Sequence, residues 1–420
     1  MLNKYQQIIN DITQSITEET LVKGDKVPSI RSLSQTYHCS KDTVQRALLD
    51  LKYQGLVYAV PKSGYYILGK QESRKNDYSP FKNHHKQAYE DFRLCLNDSL
   101  SQQESYLFDY YYKNQGLDDL IDSLLSYFAE IAVYANKEDI IITSGTQQAL
   151  YILSQMTFPN AKDCILLESP TYHRMEDLVK SLGLPFKRID RSFNGIDLEV
   201  LEKIFKAGDI KFFYTISRFS NPLGLSYRNE EKEKIIALAN QYDVYIIEDD
   251  FLGEFAKSNN TPLHYFDINQ RVIYLKSFSV SVFPSLRIGA LVLPKALQEP
   301  FLTHKSMIDL DTNLIMQKAL SLYLANGMFD KNLKQHRHIF QTMLQKTEKY
   351  LQKELGLDDY TVTPQFLTLR YDSKNCDWDL KHLKKHQLLR HKKSSYLQIE
   401  LKENTLDFLR SLHTKAKNRN

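Results

Sequence analysis

From about residue 115 onward, short β-branched and aromatic runs, Ile140-Ile141-Ile142 and Tyr245-Ile246-Ile247 among them, alternate with amphipathic stretches such as Glu230 to Asn240. Strands that run in the same direction can be joined only by a long crossover, usually a helix. The alternation therefore predicts a doubly wound, mainly parallel sheet covered by helices. Ahead of it, residues 1 to about 68 form a separate patterned unit, and between the two Gly69-Lys70-Gln71-Glu72-Ser73-Arg74-Lys75-Asn76-Asp77 is polar and without apolar periodicity. Such a run reads as a linker. At 420 residues the chain has room for two or three compact units. The expected division is a head over 1–68, a linker over 69–105, a large unit over 106–300 and a small C-terminal α+β subdomain over 301–420.

The charge balance, 55 basic against 51 acidic residues for a net +4, gives no polyelectrolyte-like pull toward nucleic acid, so any DNA-binding surface must be local. Cys39, Cys95, Cys164 and Cys376 lie far apart, with no CxxC pair and no metal-ligand spacing to histidine, which fits a reducing compartment and no metal site. The N-terminal Met-Leu-Asn-Lys-Tyr-Gln-Gln lacks an apolar signal core, and no apolar stretch approaches the roughly 20 residues of a membrane span. A soluble cytoplasmic protein without membrane contact is expected. The basic stretch Lys381, Lys384, Lys385, Arg390, Lys392 and Lys393 reads as a solvated helix face rather than a second DNA-contacting patch.

In the head, Tyr5, Ile8, Ile9, Ile12 and Ile16 fall at helical spacing and predict one buried face of a first helix. The segment Gly24 to Ser29 breaks the chain and offers Ser29 as the N-cap of a short second helix with Ile30, Leu33 and Tyr37 inward. After His38-Cys39, Ser40 can cap a third helix with Val44, Ala47, Leu48 and Leu51 on one face. Its other face is polar: Asp42, Gln45 and Arg46 project outward, with Lys41 and Thr43 in the first turn, the geometry of a recognition helix in a major groove. Leu56 to Val60, the turn Pro61-Lys62-Ser63-Gly64 and Tyr65 to Leu68 predict a two-stranded wing with Lys62 at its tip. On geometry alone the same pattern also fits a three-helix bundle with a hairpin and an ordinary charged surface.

Val27-Pro28-Ser29-Ile30-Arg31, Ser40 to Leu48, and Gln54-Gly55-Leu56-Val57 through Lys62-Ser63-Gly64-Tyr65 resemble the GntR-type winged helix-turn-helix. The resemblance covers nearly all of the head and implies Arg31, Lys41, Thr43, Arg46 and the wing Gly64 as DNA-contacting positions, to which the outward Gln45 and the tip Lys62 are added. Lys41 replaces the family's usual arginine, so a bidentate guanine contact is lost there while a phosphate contact survives.

Further along, several short motifs fall in an order similar to fold-type I, pyridoxal-phosphate-dependent aminotransferases. Tyr111 and Gln115-Gly116 resemble the segment that reaches the partner subunit's cofactor phosphate, and Thr143-Ser144-Gly145-Thr146-Gln147-Gln148 the turn that cradles the phosphate at a helix start. Glu168 to Arg174 resembles the segment whose tyrosine, here Tyr172, stacks on the pyridine ring and whose arginine, here Arg174, meets a ligand carboxylate. Asn221-Pro222-Leu223-Gly224 resembles N-P-T-G, and Glu248-Asp249-Asp250-Phe251 resembles E-D-D-Y, in which Asp249 would pair with the ring nitrogen. Ser277, Ser279 and Arg287 match the phosphate-binding end. Together with the head, the chain resembles the MocR subfamily of GntR regulators, which implies a multidomain α/β protein: a winged helix-turn-helix joined to an aminotransferase-like unit.

One departure from that pattern is decisive. The family's S-F-S-K places the Schiff-base lysine where this chain has Val280, and an isopropyl group cannot act as an amine nucleophile. Lys276 lies four residues upstream, roughly 13 Å away along an extended strand at about 3.3 Å per residue. Phe251 lacks the hydroxyl of the family tyrosine, and Ser394 to Gln398 shows no counterpart of the C-terminal arginine that clamps an amino-acid carboxylate. No catalytic residue is therefore assigned.

The expected function is a sequence-specific DNA-binding regulator, a homodimer whose two heads read half-sites of a repeated duplex operator. Two readings of the large unit stay open. Either it holds pyridoxal phosphate, or another small anionic or phosphorylated effector, no more than non-covalently through Asp249, Asn221, Tyr172 and Arg287, or it is a ligand-free dimerisation relic. The rival from another class is an active aminotransferase with a regulatory head.

Overall fold

The computed structural model describes residues 4–18, 20–22, 24–53, 56–60, 63–68, 82–101, 104–107, 114–309, 311–371, 388–391, 394–402 and 404–417. Lys62, Tyr111, Cys376 and the basic Lys381, Lys384, Lys385, Lys392 and Lys393 lie outside these residues. The chain divides into two compact units, Met1–Tyr78 and Ser79–Asn420.

In the first unit the isoleucine pattern forms helix α1 (Lys4–Thr17), with Ile8, Ile9, Ile12 and Ile16 buried. Each such side chain contributes about 2 kcal/mol when removed from water. Ser29 caps α2 (Ile30–Thr36) by accepting from Ser32 N–H, and Ser40 accepts from Thr43 N–H at the start of α3 (Lys41–Tyr53). Val44, Ala47, Leu48 and Leu51 of α3 are fully buried against α1 and α2. Two tyrosines tie the helices together, Tyr5 donating to Asp50 and Tyr37 to Asp11. Strands β1 (Val57–Val60) and β2 (Gly64–Ile67) pair antiparallel as the wing, and Lys26 bridges Tyr66 on its other edge.

The second unit begins with α4 (Lys82–Ser101), a correction to the expected linker over 69–105. Ala88, Phe92, Cys95 and Ser99 bury one face of this helix in the large core. Helices α11 (Leu314–Ala325) and α12 (Met328–Glu354) pack against it, and α5 (Asp118–Glu130) packs against α11. There follow β3 (Ile140–Thr143), α6 (Thr146–Gln155), β4 (Cys164–Ser169), α7 (His173–Ser181), β5 (Phe186–Ser192), β6 (Gly195–Ile196), α8 (Leu198–Lys206), β7 (Ile210–Thr215), α9 (Asn229–Gln241), β8 (Tyr245–Asp250), β9 (Val272–Ser277), β10 (Gly289–Val292) and α10 (Lys295–Ile308). These strands form one sheet in the order β3-β10-β9-β8-β7-β4-β5-β6. The pairs β5-β4, β4-β7, β7-β8 and β8-β9 are parallel, whereas β10 runs antiparallel to both β9 and β3. The mainly parallel sheet is thus present with a reversed strand inside it.

Successive strand residues face opposite sides of a sheet, and the two cores divide accordingly. Ile165 and Leu167, Phe212 and Tyr214, Tyr245 and Ile247, Ile273 and Leu275 pack against α6, α7 and α10. Leu166, Phe213, Ile246 and Val272 pack against α8 and α9 on the other side. Because Leu297 and Phe301 of α10 belong to the first of these layers, the expected boundary at 300 falls inside a helix of the large sheet and is corrected.

The chain continues through α11 (Leu314–Ala325) and α12 (Met328–Glu354) to a four-stranded antiparallel sheet, β11 (Tyr360–Val362), β12 (Phe366–Tyr371), β13 (Leu388–His391) and β14 (Ser394–Glu400), and α13 (Thr405–Lys417). Arg390 lies in strand β13, not on the helix face expected for the basic stretch. Among the described residues no helix is long and apolar enough to cross a membrane, and no cluster of His, Cys, Asp or Glu could hold a metal ion.

Candidate functional site

On the head, α3 turns its polar side to solvent: Lys41, Gln45 and Arg46 are exposed, and Thr43 is half-buried with its hydroxyl engaged by Ser40. Arg31 is exposed on α2. Arg31, Lys41 and Arg46 are ion-paired with no described residue, so these cations are available to phosphate. Gly64 opens β2 at φ +123°, a left-handed conformation in which a side chain is strained, with Lys26 3.6 Å from where a Cβ would stand. The described DNA-contact candidates other than the half-buried Thr43 therefore share exposed positions on α2, α3 and the wing.

In the second unit a cavity of about 450 Å³ opens at the carboxyl ends of the parallel strands, where ligands of such sheets bind. Strand parity decides its lining. Asp249 follows Tyr245 and Ile247 on the α6 side of β8, and Ser277 follows Ile273 and Leu275 on the same side of β9. Thr146 comes from the start of α6, Tyr172 and Arg174 from the start of α7, Asn221 from the loop after β7, and Ser279, Val280 and Arg287 from the loop after β9.

One end of the cavity is built for an anion. Gly145, at φ +81°, caps α6, and a Cβ placed on it would stand 2.9 Å from the Arg287 guanidinium. A cation held over the positive end of a helix repels it unless an anion lies between them. Neither Arg287 nor Arg174 has a hydrogen-bond or ion-pair partner among the described residues. Ser277 and Ser279 hydroxyls lie 3.2 Å apart beside them.

The other end is acidic and buried. Tyr214 donates to Asp249 Oδ2 at 2.8 Å, while Oδ1 has no partner. Burial pushes the Asp249 carboxyl up to about 6; the Tyr214 hydrogen bond opposes that rise and the neighbouring Asp250 adds to it. Burial likewise raises the Tyr172 hydroxyl, aided by Asp249 and opposed by Arg174 and Arg287. An unpartnered carboxylate oxygen in such a place calls for an N–H donor from a ligand.

These residues fit the phosphate and the ring nitrogen of pyridoxal phosphate, but nothing fits its covalent attachment, because no lysine is among the described residues lining the cavity. Lys276 has the opposite parity to Ser277. Its ammonium lies on the far face of the sheet, fully buried, 2.7 Å from Glu254 Oε1 and 3.1 Å from the Asp250 carbonyl. There it joins a buried network: Asp250 holds Arg218 and accepts from Tyr274, and Glu254 accepts from Tyr127 through Oε1 and, through its carbonyl, from Arg337 of α12.

All described candidates for the ligand site line this cavity, except Gly145, which forms its cradle. Three lining residues were not singled out from sequence: Gln147, Ile216 and Gln365. Gln147 sits inside the Ser-Gly-Thr turn and was within reach of that motif. Gln365 comes from the turn between β11 and β12, held by Thr363 Oγ1, and only the tertiary fold brings it there. The small sheet also grips the Asn221 loop, since Gln398 Nε2 donates to the Pro222 carbonyl at 2.8 Å and Thr361 to that of Leu223. Gln398 thus stands in a structural role in the stretch where no carboxylate-clamping arginine was found.

Residues 75–393 match the family described as aminotransferase class I and II, and residues 4–67 match bacterial regulatory proteins of the gntR family. The chain is 38% identical over 372 residues to the uncharacterized HTH-type transcriptional regulator YcxD of Bacillus subtilis (strain 168), covering 86% of this chain and 84% of that one. It is 26% identical over 380 residues to the uncharacterized HTH-type transcriptional regulator YjiR of Escherichia coli (strain K12), covering 82% and 80%. Among solved structures, Pyrococcus horikoshii kynurenine aminotransferase superposes with a TM-score of 0.67 over 89% of this chain and 94% of that one. At 20% identity that likeness concerns the fold.

Proposed function

The chain belongs to the aminotransferase class I and II family in the MocR-type arrangement, a DNA-binding transcription regulator with a gntR-type head, and we propose that its aminotransferase-like unit does not catalyse amino-group transfer. The observation that carries this reading is Val280 in the cavity wall, with Lys276 committed to Glu254 on the opposite face of the sheet.

Pyridoxal phosphate, when bound, supplies an aldehyde that a primary amine can attack. This chain's residues bind and orient. Asp249 Oδ1 would accept from a ring N–H, Arg287 and the start of α6 would hold the phosphate, and Tyr172 and Asn221 would contact the ring. Val280 presents only hydrocarbon, and the guanidinium groups of Arg174 and Arg287 stay protonated and are not nucleophiles.

On DNA, α3 enters the major groove with Gln45, Arg46 and Thr43 toward base edges, while Arg31, Lys41 and the wing, Lys62 and Gly64, meet the backbone. A cytoplasmic homodimer brings two heads to one operator, and the second contact is then favoured by proximity. A small phosphorylated effector regulates this binding to the extent that it prefers one arrangement of the dimer.

The test is an amino-group transfer assay on the full chain with added pyridoxal phosphate and a mixture of amino acids and 2-oxo acids. No turnover above the protein-free reaction is expected. Turnover above that level overturns the reading.

A further inference from the structure

We propose that the cavity binds phosphorylated pyridines without regard to the substituent at the ring's 4′ carbon, so that pyridoxal, pyridoxamine and pyridoxine 5′-phosphates are equivalent ligands. The inference rests on the reading of this cavity as a non-catalytic ligand site and names the class of ligand it takes.

What separates an aldehyde from an amine or an alcohol at a binding site is covalent capture: an amine adds to the aldehyde carbon and water leaves. That requires a lysine that can lose its proton, and none of the described lining residues is one. Arg174 and Arg287 remain charged. Lys276 is fully buried behind the sheet and held by Glu254.

The rest of the described lining offers no carboxylate but Asp249 to single out the ammonium of the pyridoxamine form, and its hydroxyls and amides serve all three. Val280, Phe251 and Ile216 are hydrocarbon. Asn221, Gln147 and Gln365 carry side-chain amides, and an amide both donates and accepts, so it serves a carbonyl, an amine or a hydroxyl equally. What the cavity does demand lies at its two ends. The orphaned Asp249 Oδ1 needs an N–H, and the cationic cradle of Gly145, Arg287 and the start of α6 needs a phosphate. The ring nitrogen and the phosphate are common to all three molecules.

Titration calorimetry of the full chain with each of the three phosphates tests this directly. Dissociation constants within about threefold of one another are expected, with unphosphorylated pyridoxine weaker by about tenfold or more for want of the anion. Asp249→Asn is expected to weaken all three by a common factor, about tenfold, because it acts on the shared nitrogen. Val280→Lys, which restores an amine, is expected to favour pyridoxal phosphate and to yield a borohydride-fixed mass increment.

A preference of the unsubstituted chain for pyridoxal phosphate of about tenfold or more overturns the proposal. So does a fixed adduct on that chain, an Asp249→Asn effect confined to one ligand, or no binding of any of the three. Turnover in the transfer assay contradicts the non-catalytic reading whatever the three affinities are. Unequal affinities without turnover contradict only the present inference.

Discussion

Asp249 on β8 and Lys276 on β9, one register step apart, answer to opposite faces of one sheet, and each carries a distinct prediction. The carboxyl of Asp249 titrates at about 6 in the folded chain against an ordinary value of 3.8, because burial penalises its charge. With the folded value raised, its stabilising contribution is complete below the unfolded value and is lost as pH rises through about 6. Above that, the ionised, half-partnered carboxylate costs up to about 3 kcal/mol by the size of the shift. Asp249→Asn is therefore expected to raise the Tm at pH 8 and to bring no gain at pH 4; calorimetry at the two pH values checks it, and a lower Tm at pH 8 contradicts it. Such a liability is what a ligand-seeking group leaves in an empty site. Lys276 has the opposite character. Lys276→Met strips Glu254 of its buried partner and should cost about 3–5 kcal/mol in denaturant unfolding. Vitamer affinity of the folded fraction should stay within about threefold. Loss of binding in that variant, with the fold retained, would put the ammonium in the cavity after all.

At the scale of elements, the head was the most legible part. Isoleucines at helical spacing, two serine caps and a Gly-ended hairpin each act locally, so sequence alone located α1, α2, α3 and the wing to within a residue or two. Helix α4 was not legible, and its composition explains why. Among its described residues the buried ones are Ala88, Asp91, Phe92, Cys95 and Ser99, too few of them apolar to mark a helical face, and it is the packing against α11 and α12 that makes it a core element. Helix α3 carries the element-scale prediction. Arg46 is exposed and unpaired among the described residues, so Arg46→Ala should leave the unfolding free energy unchanged within about half a kcal/mol. It should weaken operator binding measured by fluorescence anisotropy and relax specificity at the base pair it meets. Unchanged affinity and specificity would remove it from the interface.

At the scale of the molecule, the motif order along the chain revealed the carboxyl-edge cavity, since each motif ends a strand and the sheet gathers those ends. Two features were out of reach. The reversed β10 carries no mark in its short apolar run Gly289–Val292, and Gln365 arrives from a sheet about 85 residues beyond the last cavity strand, which is a tertiary event. The chain is a DNA-binding regulator with an aminotransferase-like unit, and the proposal that this unit is not catalytic rests on the two cavity ends being present with no lysine among the described lining residues. The most direct test of the regulatory claim is genome-wide footprinting of the full-length protein in cells. The account predicts a small set of discrete sites, each with repeated half-sites, that vanish when Arg31 and Arg46 are both replaced by alanine; a profile without enriched sites, or one indifferent to those two substitutions, would contradict it.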